Sequence, residues 1–401
     1  MKLLLYVHTW APSVGGVETI TKTLADGLVE WSKNHNAEPF ELTLLTKSPA
    51  GSMDDLQLPY RVVRNPSFME LIREIQRADI IHLAGPTILP LVIGSLFRRP
   101  IIVEHHGYQA SCANGMLLLE PQKTQCPGYF MAKRYGKCLA CNSHTMGWWR
   151  SLKTLLLTFP RRWLCHYVAV NVTITDHVAL RLALPRSRTI YYGIEDLDAR
   201  PTDSRESPEN ALRLAYLGRL VAEKGLPVLF RAVQRLDKEG LAFRLTVIGD
   251  GPERGSLEAL ANELRISHRV AFAGEMRRPE VDQALRKTDV VVMPSLCEET
   301  AGLAAIEQMM SAGAVIASNI AGLAEVVGEA GLKFAPGSSD ELSSCIKVLA
   351  NDRGLIQHLG SMARARALKL FSVEHFITQH AVLYREAERL LKARGIKVGT
   401  R

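Results

Sequence analysis

The chain has 401 residues, 47% of them hydrophobic and 22% charged, with a formal net charge of +8. That composition excludes the disordered and fibrous classes and leaves room for two α/β domains, each with its own core. The positive balance favours anionic partners such as phosphates, nucleic acid or an acidic membrane surface, without choosing among them.

The first apolar stretch, Leu3 to Val7, is too short for the hydrophobic region of a signal peptide and runs into Pro12 and Gly15-Gly16. No stretch approaches the roughly 18 apolar residues of a spanning helix, so the sequence reads as a cytoplasmic protein. Its seven cysteines then read as metal ligands or core thiols and not as disulfides. Strands are expected at Leu3–His8, Leu42–Thr46, Ile80–Leu83 and Ile101–Glu104, being short, continuous and apolar. Between the first two, Val17, Ile20, Leu24 and Leu28 recur at helical spacing. This is the rhythm of a parallel sheet with crossover helices.

Residues 195–210 are polar and carry prolines and charges, which predicts a linker between an N-terminal domain at 1–194 and a second domain at 211–372. In the second domain, strands are expected at Leu212–Leu217, Phe243–Ile248, Val270–Phe272, Val290–Met293 and Val315–Ala317. Helices are expected at Leu226–Leu236, Ser256–Leu264, Glu280–Arg286 and Leu303–Met310. A long helical pattern from Val373 to Arg394, with Ser372 as its N-cap, opens the last segment at 373–401. The fold class is therefore α/β, two Rossmann-like doubly wound domains. Two such domains facing each other make one cleft, and ligands of open α/β sheets bind beyond the carboxyl ends of the strands.

The strongest local signal is Pro294 to Glu307. Leu303, Ile306 and Met310 form an apolar helical stripe, and Glu307 falls beside that stripe, which turns a carboxylate toward the interior. A charge there needs a partner or a ligand. Glu299 lies in the loop ahead, so two carboxylates bracket a helix N-terminus whose N–H groups can hold phosphate oxygens. A structural ion pair between Glu307 and a neighbouring arginine is the plainer explanation. Gly218 to Gly225 follows a strand and precedes a helix, placing Arg219 and Lys224 at the strand end where a diphosphate would lie.

Together these stretches resemble the group 1 retaining glycosyltransferases (family four, GT-B fold). Glu299 and Glu307 have the family's seven-residue spacing, Gly218–Gly225 is similar to its GR(L)xxEKG loop, and Val247–Pro252 to its strand ending in GDGP. Gly15-Gly16-Val17-Glu18 resembles the N-terminal glycine loop, while Tyr192-Gly193-Ile194 and Phe371-Ser372 extend the likeness over nearly the whole chain. The resemblance implies that Arg219 and Lys224 neutralise the donor diphosphate, Glu307 holds the ribose hydroxyls and Glu299 orients the donor sugar. It implies that Gly15, Gly16, Thr300, Ala301, Gly302 and Leu303 line the phosphate and sugar, and that the last helix returns to the first domain. His106, in Glu104-His105-His106-Gly107, matches the family's first-domain histidine near the sugar, against a structural role for the same side chain. Where the family carries Gly-Phe-Gly this chain has Thr300-Ala301-Gly302, a smaller filling at the sugar-facing loop.

The function so implied is transfer of a hexosyl-type sugar with retention, from a UDP-, GDP- or ADP-sugar to a glycan, lipid-linked or small-molecule acceptor in cell-envelope or polysaccharide synthesis. No Asp-x-Asp pair stands in a suitable loop, so no catalytic metal is expected. A nucleotide-sugar epimerase of the same two-domain fold is the alternative. No helix-turn-helix, RRM-like or finger pattern supports nucleic acid as partner.

Two features lie outside the family pattern. Residues 107–150 read as an inserted cysteine-rich loop in which Cys112, Cys126, Cys138 and Cys141, the last two as C-x2-C, are candidate ligands of a structural zinc, with free thiols as the alternative. Trp148 to Trp163 mixes tryptophans, leucines and cations, fitting either peripheral contact with an anionic inner membrane face or a core helix with basic ends.

Overall fold

The computed structural model describes residues 1–11, 15–35, 37–50, 54–196 and 211–393. Most of the expected linker at 195–210, and the last segment from Arg394 on, lie outside the described residues. The chain divides into two compact units: Met1–Leu117 with Pro127–Gly193 and the stretch from Ser372, and Leu118–Cys126 with Ile194–Phe371.

The first unit is built on strands β1 (Lys2–Val7), β2 (Glu41–Thr46), β3 (Arg61–Arg64), β4 (Ile80–Ala84) and β5 (Ile101–His105), with helices α1 (Gly16–Asn34), α2 (Phe68–Arg77) and α3 (Ile88–Leu96) between them. The short hairpin β6 (Leu118–Leu119) and β7 (Thr124–Gln125), which falls in the second unit, interrupts it, and the first unit continues with α4 (Tyr135–Met146), α5 (Trp148–Cys165), β8 (Val170–Thr173), α6 (Asp176–Leu182) and β9 (Ser187–Thr189). The seven-stranded sheet runs β3-β2-β1-β4-β5-β8-β9, all pairs parallel. Leu3, Leu4, Leu5, Ile80, Ile81, Ile101 and Ile102 are buried on both faces of this sheet, which is why these strands read as unbroken apolar runs.

The second unit comprises β10 (Leu212–Leu217), α7 (Leu226–Lys238), β11 (Phe243–Ile248), α8 (Arg254–Glu263), β12 (Val270–Gly274), α9 (Arg278–Arg286), β13 (Val290–Met293), α10 (Leu303–Met310), β14 (Ala314–Ser318), α11 (Ala321–Val327), β15 (Leu332–Phe334), α12 (Ser339–Asn351) and α13 (Arg353–Leu370). Its parallel sheet runs β12-β11-β10-β13-β14-β15. In both sheets the chain starts in the middle, works outward and then crosses back, the order of a Rossmann-type sheet. The crevice at such a reversal opens between β1 and β4 in one unit and between β10 and β13 in the other.

The last helix, α14 (Val373–Ala393), belongs to the first unit. The Ser372 hydroxyl accepts from the His375 amide at 3.3 Å, an N-cap at the expected place. Gly27 of α1 lets α14 approach closely, because a Cβ there would stand 2.6 Å from Ile377. Trp31 donates its indole N–H to Thr378 at 3.2 Å, and the Arg385 guanidinium lies over the same ring.

Residues 107–150 are not an irregular loop throughout. Cys138 and Cys141 sit one turn apart on α4, both buried, and Cys138 packs with Phe130 and Leu155 in a small satellite core bordered by Tyr135 and Leu139. That local core supplies the burial that a polar, glycine-rich loop lacks.

Candidate functional site

The carboxyl ends of β10 and β13 flank the crevice of the second unit, and each feeds a loop that carries charge. The loop after β10 turns through the short 3-10 segment Ala222–Lys224. It is seated against the loop after β13, since the Leu296 amide donates to the Glu223 carbonyl at 2.8 Å. Gly225 makes this fit: its φ is +71°, and a Cβ there would lie 2.0 Å from the Pro294 carbonyl oxygen.

This seating brings Lys224 and Glu299 together, with Nζ 2.7 Å from Oε1. Ser295 donates its hydroxyl to the same carboxylate oxygen. The Glu299 side chain is 9% exposed and that of Lys224 25%. Burial alone would raise the Glu299 carboxyl, but the Lys224 charge and hydrogen bond, with Ser295, outweigh it and hold the group below the usual carboxylate range. Burial likewise acts to lower Lys224, and Glu299 reverses the sign, so the ammonium stays charged well into alkaline pH. The Glu299 backbone is fixed as well, its carbonyl accepting from the Gly322 amide at 3.0 Å.

Three residues on, Gly302 takes a left-handed conformation at the head of α10, and no side chain caps that helix. Thr300 is half-buried, Ala301 and Gly302 are buried, and Leu303 opens the helix. Glu307, one turn further along α10, is half-buried between the buried Ile306 and Gln308, as the apolar stripe requires. Arg219 is exposed, and its carbonyl accepts from the Tyr216 hydroxyl at 2.9 Å. The loop that carries it is zipped to the loop after β11: the Leu220 amide donates to Asp250, and Gly249 comes so close to Gly218 that a Cβ would lie 2.1 Å from its carbonyl oxygen.

In the first unit, Gly15 precedes α1 and Gly16 begins it; Glu18, in the first turn, accepts from the Thr9 hydroxyl. His106 follows β5 and is half-buried, its side chain 7% exposed and stacked on Tyr192, with its Nδ1 2.6 Å from the Tyr192 hydroxyl. Its Nε2 points toward Glu104 at 3.9 Å. Burial lowers its pKa, partly offset by the Glu104 charge. The neighbouring His105 is separate in role. It is wholly buried, bonded through Nε2 to Asn171 of β8 at 2.9 Å, and burial pushes it down to about 4. Cys112 is half-buried and lies with Cys138 and Cys141 in the first unit, while the buried Cys126 belongs to the second.

Two groups went unread in the sequence. Ser295 stands inside the quoted motif, and its signal is a hydroxyl four residues ahead of a carboxylate at a strand end. Glu104 is a lone charge closing the otherwise apolar run Ile101–Val103, the kind of residue a buried strand carries only with partners.

Two doubly wound units, the second with a charged loop pair at its crevice, define a two-domain Rossmann-type fold. Residues 200–366 match the family model for glycosyl transferases group 1, and the second unit belongs to that family. The chain is 29% identical over 244 residues to the 2-deoxystreptamine glucosyltransferase of Streptomyces kanamyceticus, covering 56% of this chain and 61% of that protein. Among solved structures it is similar to Anabaena HepE in complex with UDP, with a TM-score of 0.71 at 18% identity over 96% of this chain and 100% of that one. Sucrose-phosphate synthase from Thermosynechococcus elongatus gives the same TM-score at 20% identity over 96% and 98%. The fold class is GT-B, two Rossmann-like domains in one chain.

The ion pair sets a pH-dependent prediction. A carboxyl held below its ordinary value of 4.5 contributes stability that is whole above that pH and lost as pH falls through the folded value. Lys224→Met removes the largest lowering influence and leaves burial to raise the carboxyl, so the sign reverses in the variant. Urea unfolding is expected to give a deficit of roughly 2 kcal/mol at about pH 7, which narrows toward about pH 4. A deficit that stays constant over that range refutes the coupling.

Proposed function

We propose that the chain is a retaining glycosyltransferase that moves a hexosyl-type sugar from a nucleotide-sugar donor, UDP-, GDP- or ADP-linked, to a glycan, lipid-linked or small-molecule acceptor. The observation that carries the reading is the Lys224–Glu299 pair at the second crevice, beside the uncapped start of α10. Further support comes from the group 1 match across this unit and from UDP bound in the similar HepE structure.

The chemistry follows from where charge develops. As the bond from the sugar to the diphosphate breaks, negative charge grows on the leaving phosphate, and cations already in place stabilise it more than they stabilise the intact donor. Lys224 and Arg219 take that role, with the amides around Thr300, Ala301, Gly302 and Leu303 as further donors. Glu299, held rigid and ionised by Lys224 and Ser295, is an acceptor for sugar hydroxyls. Glu307 binds the ribose. Gly15, Gly16 and His106 are assigned to the acceptor-side unit. Attack proceeds from the face the leaving group vacates, with the phosphate taking the acceptor proton, and no metal enters the transfer step.

Donor hydrolysis screened across UDP-, GDP-, ADP- and TDP-sugars tests this assignment. On the best donor, Lys224→Ala and Glu307→Ala are expected to lose at least about 100-fold in kcat/KM. Parent-level turnover in either variant removes that residue from the site. Conversion of the donor to an isomer without acceptor points instead to an epimerase.

The acceptor side carries a lipid-facing proposal. Helix α5 buries Ser151, Leu155, Thr158 and Leu164 and turns Trp149, Leu156 and Trp163, spaced by sevens along one face, to solvent. Trp149 is 78% and Trp163 60% exposed, flanked by the exposed cations Arg150 and Lys153. Among the described residues no helix is long and apolar enough to cross a membrane, so this face fits a peripheral seat on an anionic leaflet. With this we propose a cytoplasmic location at the inner membrane face and a role in cell-envelope or polysaccharide synthesis. The parent is expected to float with phosphatidylglycerol vesicles and not with phosphatidylcholine alone, and Trp149→Glu with Trp163→Glu to remain unbound. Equal flotation of parent and variant overturns it.

A structural zinc held through Cys138 and Cys141 with further thiolates completes the reading; burial of both sulfurs on one helical turn supports it. Cys138→Ser is expected to lose about one zinc equivalent per chain and to melt at lower temperature than the parent. Unchanged metal content and melting remove the site.

A further inference from the structure

The register between β4 and β5 pairs Ala84 with Glu104 and His82 with Ile102, so His82 and Glu104 project from the same face of the sheet. Helix α14 brings His380 and Tyr384 to them. All four side chains are wholly buried or nearly so. His82 Nε2 lies 3.1 Å and His380 Nε2 4.0 Å from the same Glu104 oxygen, and one ligand atom from each of the three residues lies within 4.8 Å of the others.

The other nitrogen of each ring is already committed. His82 Nδ1 stands 2.8 Å from the Tyr384 hydroxyl, and His380 Nδ1 donates to the Phe376 carbonyl at 3.0 Å. Each imidazole is thereby fixed in orientation with Nε2 turned inward, the outer contact that metal-binding histidines use. Two polar atoms of this cluster are unsatisfied: Glu104 Oε1 and His380 Nε2 have no hydrogen-bond partner, while Glu104 Oε2 takes the contact with His82. Because His380 keeps its proton on Nδ1, the neutral ring aims a lone pair at a carboxylate. A proton added to Nε2 would still be too far away at 4.0 Å for a hydrogen bond.

We propose that His82, Glu104 and His380 form a structural site for a divalent ion of the zinc class, which pins α14 to β4 and β5. Two imidazole nitrogens and a carboxylate oxygen are the donor set that such an ion takes. Ligand atoms about 2.0–2.1 Å from a tetrahedral ion are roughly 3.3 Å apart. The His82–Glu104 spacing of 3.1 Å is close to that, and His380 Nε2 must close on the Glu104 oxygen from 4.0 Å to roughly 3.3 Å. His106 Nε2, 3.9 Å from the same oxygen, lies outside this three-residue group. The site is distinct from the cysteines of α4 and from the charged loops of the second unit.

The test uses the purified full-length chain. After loading with zinc and desalting, elemental analysis is expected to give one more equivalent in the parent than in His380→Gln, while Cys138→Ser retains that equivalent. A second measurement needs no variant at this site. Cobalt(II) loaded into Cys138→Ser is expected to give visible d–d bands without thiolate charge-transfer absorption. Equal metal content in parent and His380→Gln, or a cobalt spectrum made only of thiolate charge-transfer bands, overturns the proposal.

Discussion

The charged site of the second unit depends on one contact, the salt bridge between Lys224 and Glu299. It joins loops that leave two different strands, and neither loop contains regular structure long enough to hold itself. Taking both charges out of water is costly, and their attraction repays it only where geometry is good and remaining lone pairs are used. Here Ser295 takes part of that remainder and the Gly322 amide fixes the glutamate backbone. The consequence is a cation and an anion held at fixed positions before any ligand arrives, which is the condition for electrostatic stabilisation without reorganisation.

Glycine makes that contact reachable. Gly225 passes against the Pro294 carbonyl and Gly249 against Gly218, in backbone conformations that a side chain disfavours and at distances that a Cβ would not survive. Three strand-end loops thus fold onto one another by backbone hydrogen bonds, leaving side chains such as Arg219 free to face solvent. The rigidity comes from main chain and the chemistry from side chains, so the two can vary independently.

The sequence made the second unit more legible than the first. Leu212–Leu217, Phe243–Ile248, Val290–Met293 and Leu303–Met310 were readable to the residue because continuous apolar runs alternate there with clean helical stripes and glycine turns. In the first unit β3, Arg61–Arg64, hides because arginines close both ends of a Val-Val pair, and α3 hides because its residues are apolar all round. Helix α4 was unreadable for another reason. Its sequence is polar and thiol-rich, and only the satellite core with Phe130 and Leu155 makes it a helix, a tertiary effect that local periodicity does not carry. Lys224, Glu299 and Glu307 were found through spacing, yet the direct bond between the first two was not, since pairing across 75 residues leaves no local pattern.

The two units share a strand order but use their carboxylates in opposite ways. Glu299 stands in a loop beyond its strand with a lysine, 25% exposed, that reaches it from a neighbouring loop. Glu104 stands inside its strand, walled in by His82, His380 and the nearby His106, with Tyr192 and Tyr384 sealing the far sides of two of those rings. Burial there raises the cost of any uncompensated charge, while the imidazoles pull the carboxyl down to about 2. A carboxylate that stays ionised in so closed a setting is suited to holding structure together, because nothing needs to move when it acts. Under the proposed function the acid beside the second crevice shares its lysine with an incoming phosphate. Identical topology therefore yields one unit that fastens the chain's last helix and one that presents charge, and the difference lies in whether the acidic residue falls within the strand or just past its end.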